Sequence, residues 1–124
     1  MAKEIYRCPI CGNIVEVLHA GGGTLVCCGK PMELMAEKNS DEGMEKHLPV
    51  VTVDGNSVNV KVGSIPHPMT EEHYIQWIEC LVGDCSYLQE LTPEVPAEVN
   101  FTIMGDISKL TVRAYCNVHG LWKK

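Results

Sequence analysis

The pairing of Cys8-Pro9-Ile10-Cys11 with Cys27-Cys28-Gly29 constrains the start of this chain more tightly than any other feature. Two intervening residues let a tight turn aim both sulfurs at one ion while backbone N–H groups point back at them. Gly12 and Gly29 stand where such turns need a positive φ. Cys27 and Cys28 are directly adjacent, and neighbouring side chains diverge, so both reach one ion only if the backbone kinks between them. Four thiolates close a tetrahedron that suits iron or zinc, and the ligands alone do not decide between the two. A segment this short buries too little apolar surface to fold unaided, so the metal is its staple.

Residues 1–36 therefore read as a small metal-stapled domain, with short strands at Ile14, Val15, Val17 and Leu18 and at Leu25-Val26, separated by Gly21-Gly22-Gly23. The second domain is expected over 37–124. It opens on Glu37-Lys38-Asn39-Ser40-Asp41-Glu42-Gly43, which is polar, short of core residues and reads as a linker. After it the period becomes two. Val58, Val60 and Val62 alternate with Ser57, Asn59 and Lys61, and an Asp54-Gly55-Asn56 turn joins this strand to 49–53 as a hairpin. Further strands are predicted at 74–82, 87–91, 99–104 and 110–115, with breaks at Gly83-Asp84, Pro93 to Pro96 and Gly105-Asp106. The expectation is an antiparallel β-sandwich with little helix. Ser64 to His73 is long for a hairpin loop, and loops on a rigid sheet often carry metal ligands.

That loop belongs to a second donor set. His47, His67, His73 and His119 share the later part of the chain with Cys116, in Cys116-Asn117-Val118-His119. Structural zinc closes its shell with four ligands, usually thiolate-rich, so this set carries too much nitrogen. Four imidazoles and one thiolate suit a redox-active first-row metal with one position left open. His19 lies outside the pattern and is assigned no metal. Cys80, inside the apolar run 75–82, reads as a small buried hydrophobe, and Cys85 beside Gly83-Asp84 as a more exposed thiol. Trp77 and Trp122 read as packing residues.

The chain has 124 residues, seven cysteines and a formal charge of −6. That balance argues against nucleic-acid or anionic-membrane partners, which want a basic face. Met1 to Cys8 holds no apolar signal segment and no stretch approaches membrane-spanning length, so a reducing cytoplasm, with free thiols or metal-bound ones, is expected.

Taken in order, Cys8-Pro9-Ile10-Cys11-Gly12-Asn13, Cys27-Cys28-Gly29-Lys30-Pro31-Met32, Glu45-Lys46-His47-Leu48-Pro49, His67-Pro68-Met69 with His73, and Cys116-Asn117-Val118-His119-Gly120-Leu121-Trp122 resemble the desulfoferrodoxins, the two-iron superoxide reductases. The resemblance covers essentially the whole chain. It implies a desulforedoxin-like first domain with an Fe(Cys)4 centre at Cys8, Cys11, Cys27 and Cys28, followed by an immunoglobulin-like sandwich. It also implies a catalytic Fe(His)4(Cys) centre held by His47, His67, His73, His119 and Cys116. The implied reaction is one-electron, inner-sphere reduction of superoxide to hydrogen peroxide, with re-reduction by a small carrier such as rubredoxin, in a homodimer. Lys46 would attract the anion and order proton-delivering water, and Glu45 matches the family's mobile carboxylate.

Two other functions use the same residues. A pure electron carrier would rely on the first centre and keep the second closed to small anions. A zinc-stapled binding module would be colourless, and it gives no reason for four imidazoles and a thiolate.

Overall fold

The computed structural model describes residues 3–40 and 43–124. It divides into two compact units, Met1–Ala36 and Glu37–Lys124. In the first, β1 (Ile5–Arg7) lies between β2 (Ile14–Glu16) and β5 (Glu33–Leu34), antiparallel to both. A separate ladder joins β3 (Val26–Cys27) to β4 (Lys30–Pro31). Among the described residues here only Ile5 and Cys8 are buried apolar side chains, while Leu18, Leu25, Val26 and Leu34 are exposed. With so little core, the fold of this unit has to come from the cysteine cluster. Val17 and Leu18, expected in a strand, fall just beyond β2.

The second unit is an immunoglobulin-like antiparallel sandwich. One sheet has the order β10 (Glu98–Thr102), β7 (Ser57–Val62), β6 (Pro49–Asp54), and the other β12 (Gly120–Lys123), β11 (Thr111–Cys116), β8 (Ile75–Val82), β9 (Cys85–Glu90). The predicted hairpin forms with Asp54 opposite Ser57, and Gly55 takes the required left-handed φ of 63°. Val58, Val60 and Val62 from one sheet meet Ile78, Cys80, Val82, Val112, Ala114 and Cys116 from the other in a single core.

β8 is buried on both faces. Trp77 stacks on Tyr115, ring centroids 5.7 Å apart, and Arg113 donates from Nε and Nη2 to Glu79 Oε1 at 3.0 and 2.6 Å. Arg113 and Glu79 are each 1% exposed, so removing Arg113 would strand the buried Glu79 carboxylate, at a cost of about 3–5 kcal/mol.

The polar stretch read as a linker behaves differently at its start. Glu37 Oε2 accepts from Arg113 Nη1 at 3.1 Å, Lys38 N donates to Leu121 O at 2.9 Å, and Lys123 N donates to Lys38 O at 2.8 Å. Residues 37 and 38 thus dock on the edge strand β12, because an unpaired sheet edge offers them backbone partners. Asp41 and Glu42 of that stretch lie outside the described residues. Two short helical elements also occur among the described residues: α1 (Met44–His47) and a 3₁₀ turn at Ile107–Lys109. No helix among the described residues is long and apolar enough to cross a membrane.

Candidate metal centres

Cys8, Cys11, Cys27 and Cys28 place their sulfurs within 4.8 Å of one another. The Cys11–Cys27 and Cys27–Cys28 separations are 3.6 and 4.0 Å. Metal–sulfur bonds of ~2.3 Å in a tetrahedron require an edge of about 3.8 Å, which these distances bracket. Ile10 N and Cys11 N each donate to Cys8 Sγ at 3.4 Å. The Cys11 N–H leads in holding the Cys8 thiol down to about 6, while hydrogen bonding with Cys11 pushes Cys28 up to about 12 and raises Cys27. Gly12 and Gly29 have φ of 80° and 75°, and Cys28 itself sits at 54°. That left-handed residue is the kink that lets two adjacent cysteines face one point.

The second cluster forms at one end of the sandwich. His47 comes from α1, His67 and His73 from the loop between β7 and β8, Cys116 from the end of β11, and His119 from the turn into β12. The ligand atoms of His47, His67, His73 and Cys116 lie within 4.8 Å of one another. His119 joins through Nδ1, 3.1 Å from His47 Nε2 and 3.8 Å from Cys116 Sγ.

The four rings stand at the corners of a square. Centroids are 4.6 Å apart for His47–His67, 4.7 Å for His67–His73, 5.0 Å for His73–His119 and 4.7 Å for His119–His47, against 6.3 Å across the His47–His73 diagonal. His47 Nε2 lies 3.0 Å from His67 Nε2. Metal–nitrogen bonds of ~2.1 Å at right angles place neighbouring nitrogens about 3.0 Å apart, close to both measured separations from His47.

The tautomers make the case for a cation. His47 Nδ1 donates to Gly43 O and His67 Nδ1 to Pro68 O, each at 2.7 Å. Both neutral rings then turn a lone pair, not a proton, toward the same point. His73 Nε2 is buried with no hydrogen-bond partner. Lone pairs facing one another at this range repel unless a positive ion lies between them. Burial lowers the pKa of His47 and His73, and that of His67 to about 4, so the rings are neutral and ligand-competent near pH 7. Burial raises the Cys116 thiol, opposed by the N–H of His119, which donates to its sulfur at 3.4 Å. A bound metal would displace the thiol proton.

Burial is graded across the cluster: Cys116, His47 and His67 are buried, His73 is half-buried and His119 exposed. Glu45 and Lys46 are both exposed on α1, and the charge of Lys46 reaches His73. Cys80 is buried, Cys85 exposed, and His19 lies exposed in the other unit.

Sequence reasoning missed three contributors and reads a fourth, Trp122, as packing without placing it at the site. Gly43 caps α1 with φ 85° and offers His47 its carbonyl. Gly63 leaves room for α1, since a Cβ there would lie 2.7 Å from Glu45 O. Trp122, 1% exposed, stacks on His47 at 4.9 Å and so packs against the site itself. Lys38 donates from Nζ to His119 O at 3.1 Å. The glycines flanking the histidine motifs were a usable signal; nothing local in the sequence marks Lys38.

A four-cysteine site on a small strand unit, with a histidine-rich thiolate site at the end of an immunoglobulin-like sandwich, defines a two-centre non-haem metalloprotein. Residues 1–35 match the family model described as Desulfoferrodoxin, N-terminal domain, and residues 39–124 the one described as Desulfoferrodoxin. The chain belongs to the desulfoferrodoxin family. It is 54% identical over 120 residues to a Desulfoferrodoxin homolog of Archaeoglobus fulgidus, covering 97% of this chain and 94% of the relative. It is 36% identical over 103 residues to the superoxide reductase of Pyrococcus horikoshii, covering 69% of this chain and 90% of the relative. The crystal structure of the superoxide reductase from Treponema pallidum superposes with a TM-score of 0.81 at 29% identity, covering 98% and 97% of the two chains.

Proposed function

We propose that this chain is a superoxide reductase whose residues 1–36 hold an Fe(Cys)4 centre and whose residues 37–124 hold the catalytic iron. The observation that carries the reading is the square of imidazoles with Cys116 beside it, since a closed structural site has no use for five donors. The ligands of the catalytic iron are His47, His67, His73, His119 and Cys116. When bound, ferrous iron supplies the single electron that, with two protons, converts superoxide to hydrogen peroxide. Five donors would leave the bound metal able to accept superoxide directly, which inner-sphere transfer requires.

The chain's own residues prepare that centre. Gly43 O and Pro68 O fix the tautomers of His47 and His67, so that Nε2 is the free donor on each. Trp122 covers His47 and keeps water from that ring. The exposed ammonium of Lys46 attracts the anion against the net charge of −6 and orders the water that delivers protons. Glu45, its neighbour on α1, would supply a carboxylate ligand to the oxidised metal.

The electron donor is a small carrier of the rubredoxin type, drawn to a carboxylate-rich surface by a basic patch. The protein works in the cytoplasm, in detoxification under oxidative stress. The sparse core of the first unit, with Leu18, Leu25, Val26 and Leu34 exposed, favours pairing of two chains into a homodimer.

Azide or cyanide added to the oxidised, iron-loaded protein and to its Glu45→Ala variant tests the open position. The reading expects the second centre's spectrum to change while the first centre's stays constant. A second centre unperturbed in both proteins would point to a closed site and a pure electron carrier.

A further inference from the structure

Two lysines place positive charge at the second centre, and the chemistry above uses only one of them. Lys38 is anchored by its own main chain, which pairs with Leu121 and Lys123 on either side of Trp122. Its ammonium donates to the carbonyl of the ligand His119 at 3.1 Å and lies 5.6 Å from the centroid of the Trp122 ring, which in turn stacks on His47. Its charge bears on both Cys116 and His47, whereas that of Lys46 bears on His73. Lys38 thus stands against the His119 turn and the Trp122 ring, and Lys46 on α1 next to His47 in sequence. Lys46 is exposed on α1, free to meet an incoming anion, and Lys38 is half-buried and held in place.

We propose that Lys38 is a positioning residue of the second centre, whose fixed ammonium, acting through the His119 carbonyl and the Trp122 face, sets how readily the metal–thiolate unit is reduced. A fixed positive charge beside a redox metal disfavours the more highly charged oxidised state. It also draws electron density from the carbonyl it binds, and so from the segment carrying His119 and Cys116. The inference rests on the reading that redox-active iron binds there.

The test compares the parent with Lys38→Met, which keeps the apolar stem without the charge, and Lys38→Arg, which keeps the charge and the donor. Each iron-loaded protein is titrated optically against a series of redox buffers, with the Fe(Cys)4 centre of the same chain as internal reference. A unit charge acting over ~10 Å at an effective dielectric of ~20 changes a redox ratio by about tenfold. At the poise where the parent's second centre is half oxidised, Lys38→Met is expected to shift about tenfold toward the oxidised form. Lys38→Arg should return to the parent value, and the first centre should not move in either variant. An unshifted Lys38→Met with its second iron loaded would overturn the proposal, and so would equal shifts in Met and Arg, which would make the effect one of packing. If the parent itself shows no ferric–thiolate band, the reading of the second centre fails first, and this role falls with it.

Discussion

Gly63 is the position where one added carbon should do most damage to the second centre while leaving its ligands intact. A Cβ at Gly63 would meet Glu45 O at 2.7 Å, Lys46 C at 2.9 Å and Leu48 O at 3.1 Å, where ordinary contact begins at 3.4 Å. The overlaps are 3.4 − 2.7 = 0.7, 3.4 − 2.9 = 0.5 and 3.4 − 3.1 = 0.3 Å, all with backbone atoms that have no rotamer to escape into. The same turn holds α1 by its carbonyl, since Ile65 N and Ser64 Oγ donate to Glu45 O at 2.9 and 3.1 Å. Relief therefore requires α1 to shift and those bonds to stretch, carrying His47 out of the square. Overpacking of this kind costs about 1–3 kcal/mol, and disturbing the surroundings that orient a ligand weakens metal binding by about 10–100-fold. Gly63→Ala should lower the urea midpoint of the sandwich and the affinity of the second site, measured by competition with a chelator, while the four-cysteine site binds as before. Parent-like affinity and midpoint together would refute the argument that α1 is held by close backbone approach.

Lys46→Ala should slow the reaction with superoxide by about tenfold at low ionic strength and by less in high salt, followed by pulse radiolysis; parent rates at low salt would remove the steering role. Cys28→Ser should abolish the first centre's colour and unfold residues 1–36 to proteolysis, while the second centre still binds metal; an intact small unit would show that its core suffices without the metal. In metal-free protein the folded pKa of His67, about 4, lies below the unfolded value near 6.5. The unfolded chain then binds the proton first, so stability is full above about pH 6.5 and is lost as the pH falls toward 4, and a flat denaturation midpoint across that window would contradict the burial of a neutral ring. Exposed Cys85 should react with a thiol reagent at pH 8 in native protein and Cys80, pushed up to about 12 by burial, should not, as peptide mapping would show.

What could be read from the sequence divides by the range of the forces involved. The alternation of Val58, Val60 and Val62 and the turn at Gly55 are local signals, and the sandwich hairpin forms as they require. The kink between Cys27 and Cys28 follows from adjacency alone, and it is present at Cys28. The pattern places β11 within a residue at each end but does not show β12, because Gly120-Leu121-Trp122-Lys123 is too short to show a period. α1 is invisible for the same reason: its four residues are held by Gly43, Gly63 and Ser64, not by helix propensity. The square of rings, the entry of His119 through Nδ1 and the docking of Glu37 and Lys38 on a sheet edge all depend on partners distant in sequence. A polar run such as Glu37 to Gly43 looks the same whether it links two units or covers an edge.

The most direct test of the central claim is to mix fully reduced, iron-loaded protein with a known pulse of superoxide, follow the visible spectrum, and count hydrogen peroxide and oxygen. A superoxide reductase working at the Cys116 centre should yield one peroxide for each superoxide consumed, release no oxygen, and develop a ferric–thiolate band as the superoxide disappears. Oxygen released alongside peroxide would mean dismutation. Superoxide decaying only at its spontaneous rate, with no spectral change, would contradict the claim that the second centre reacts with it at all.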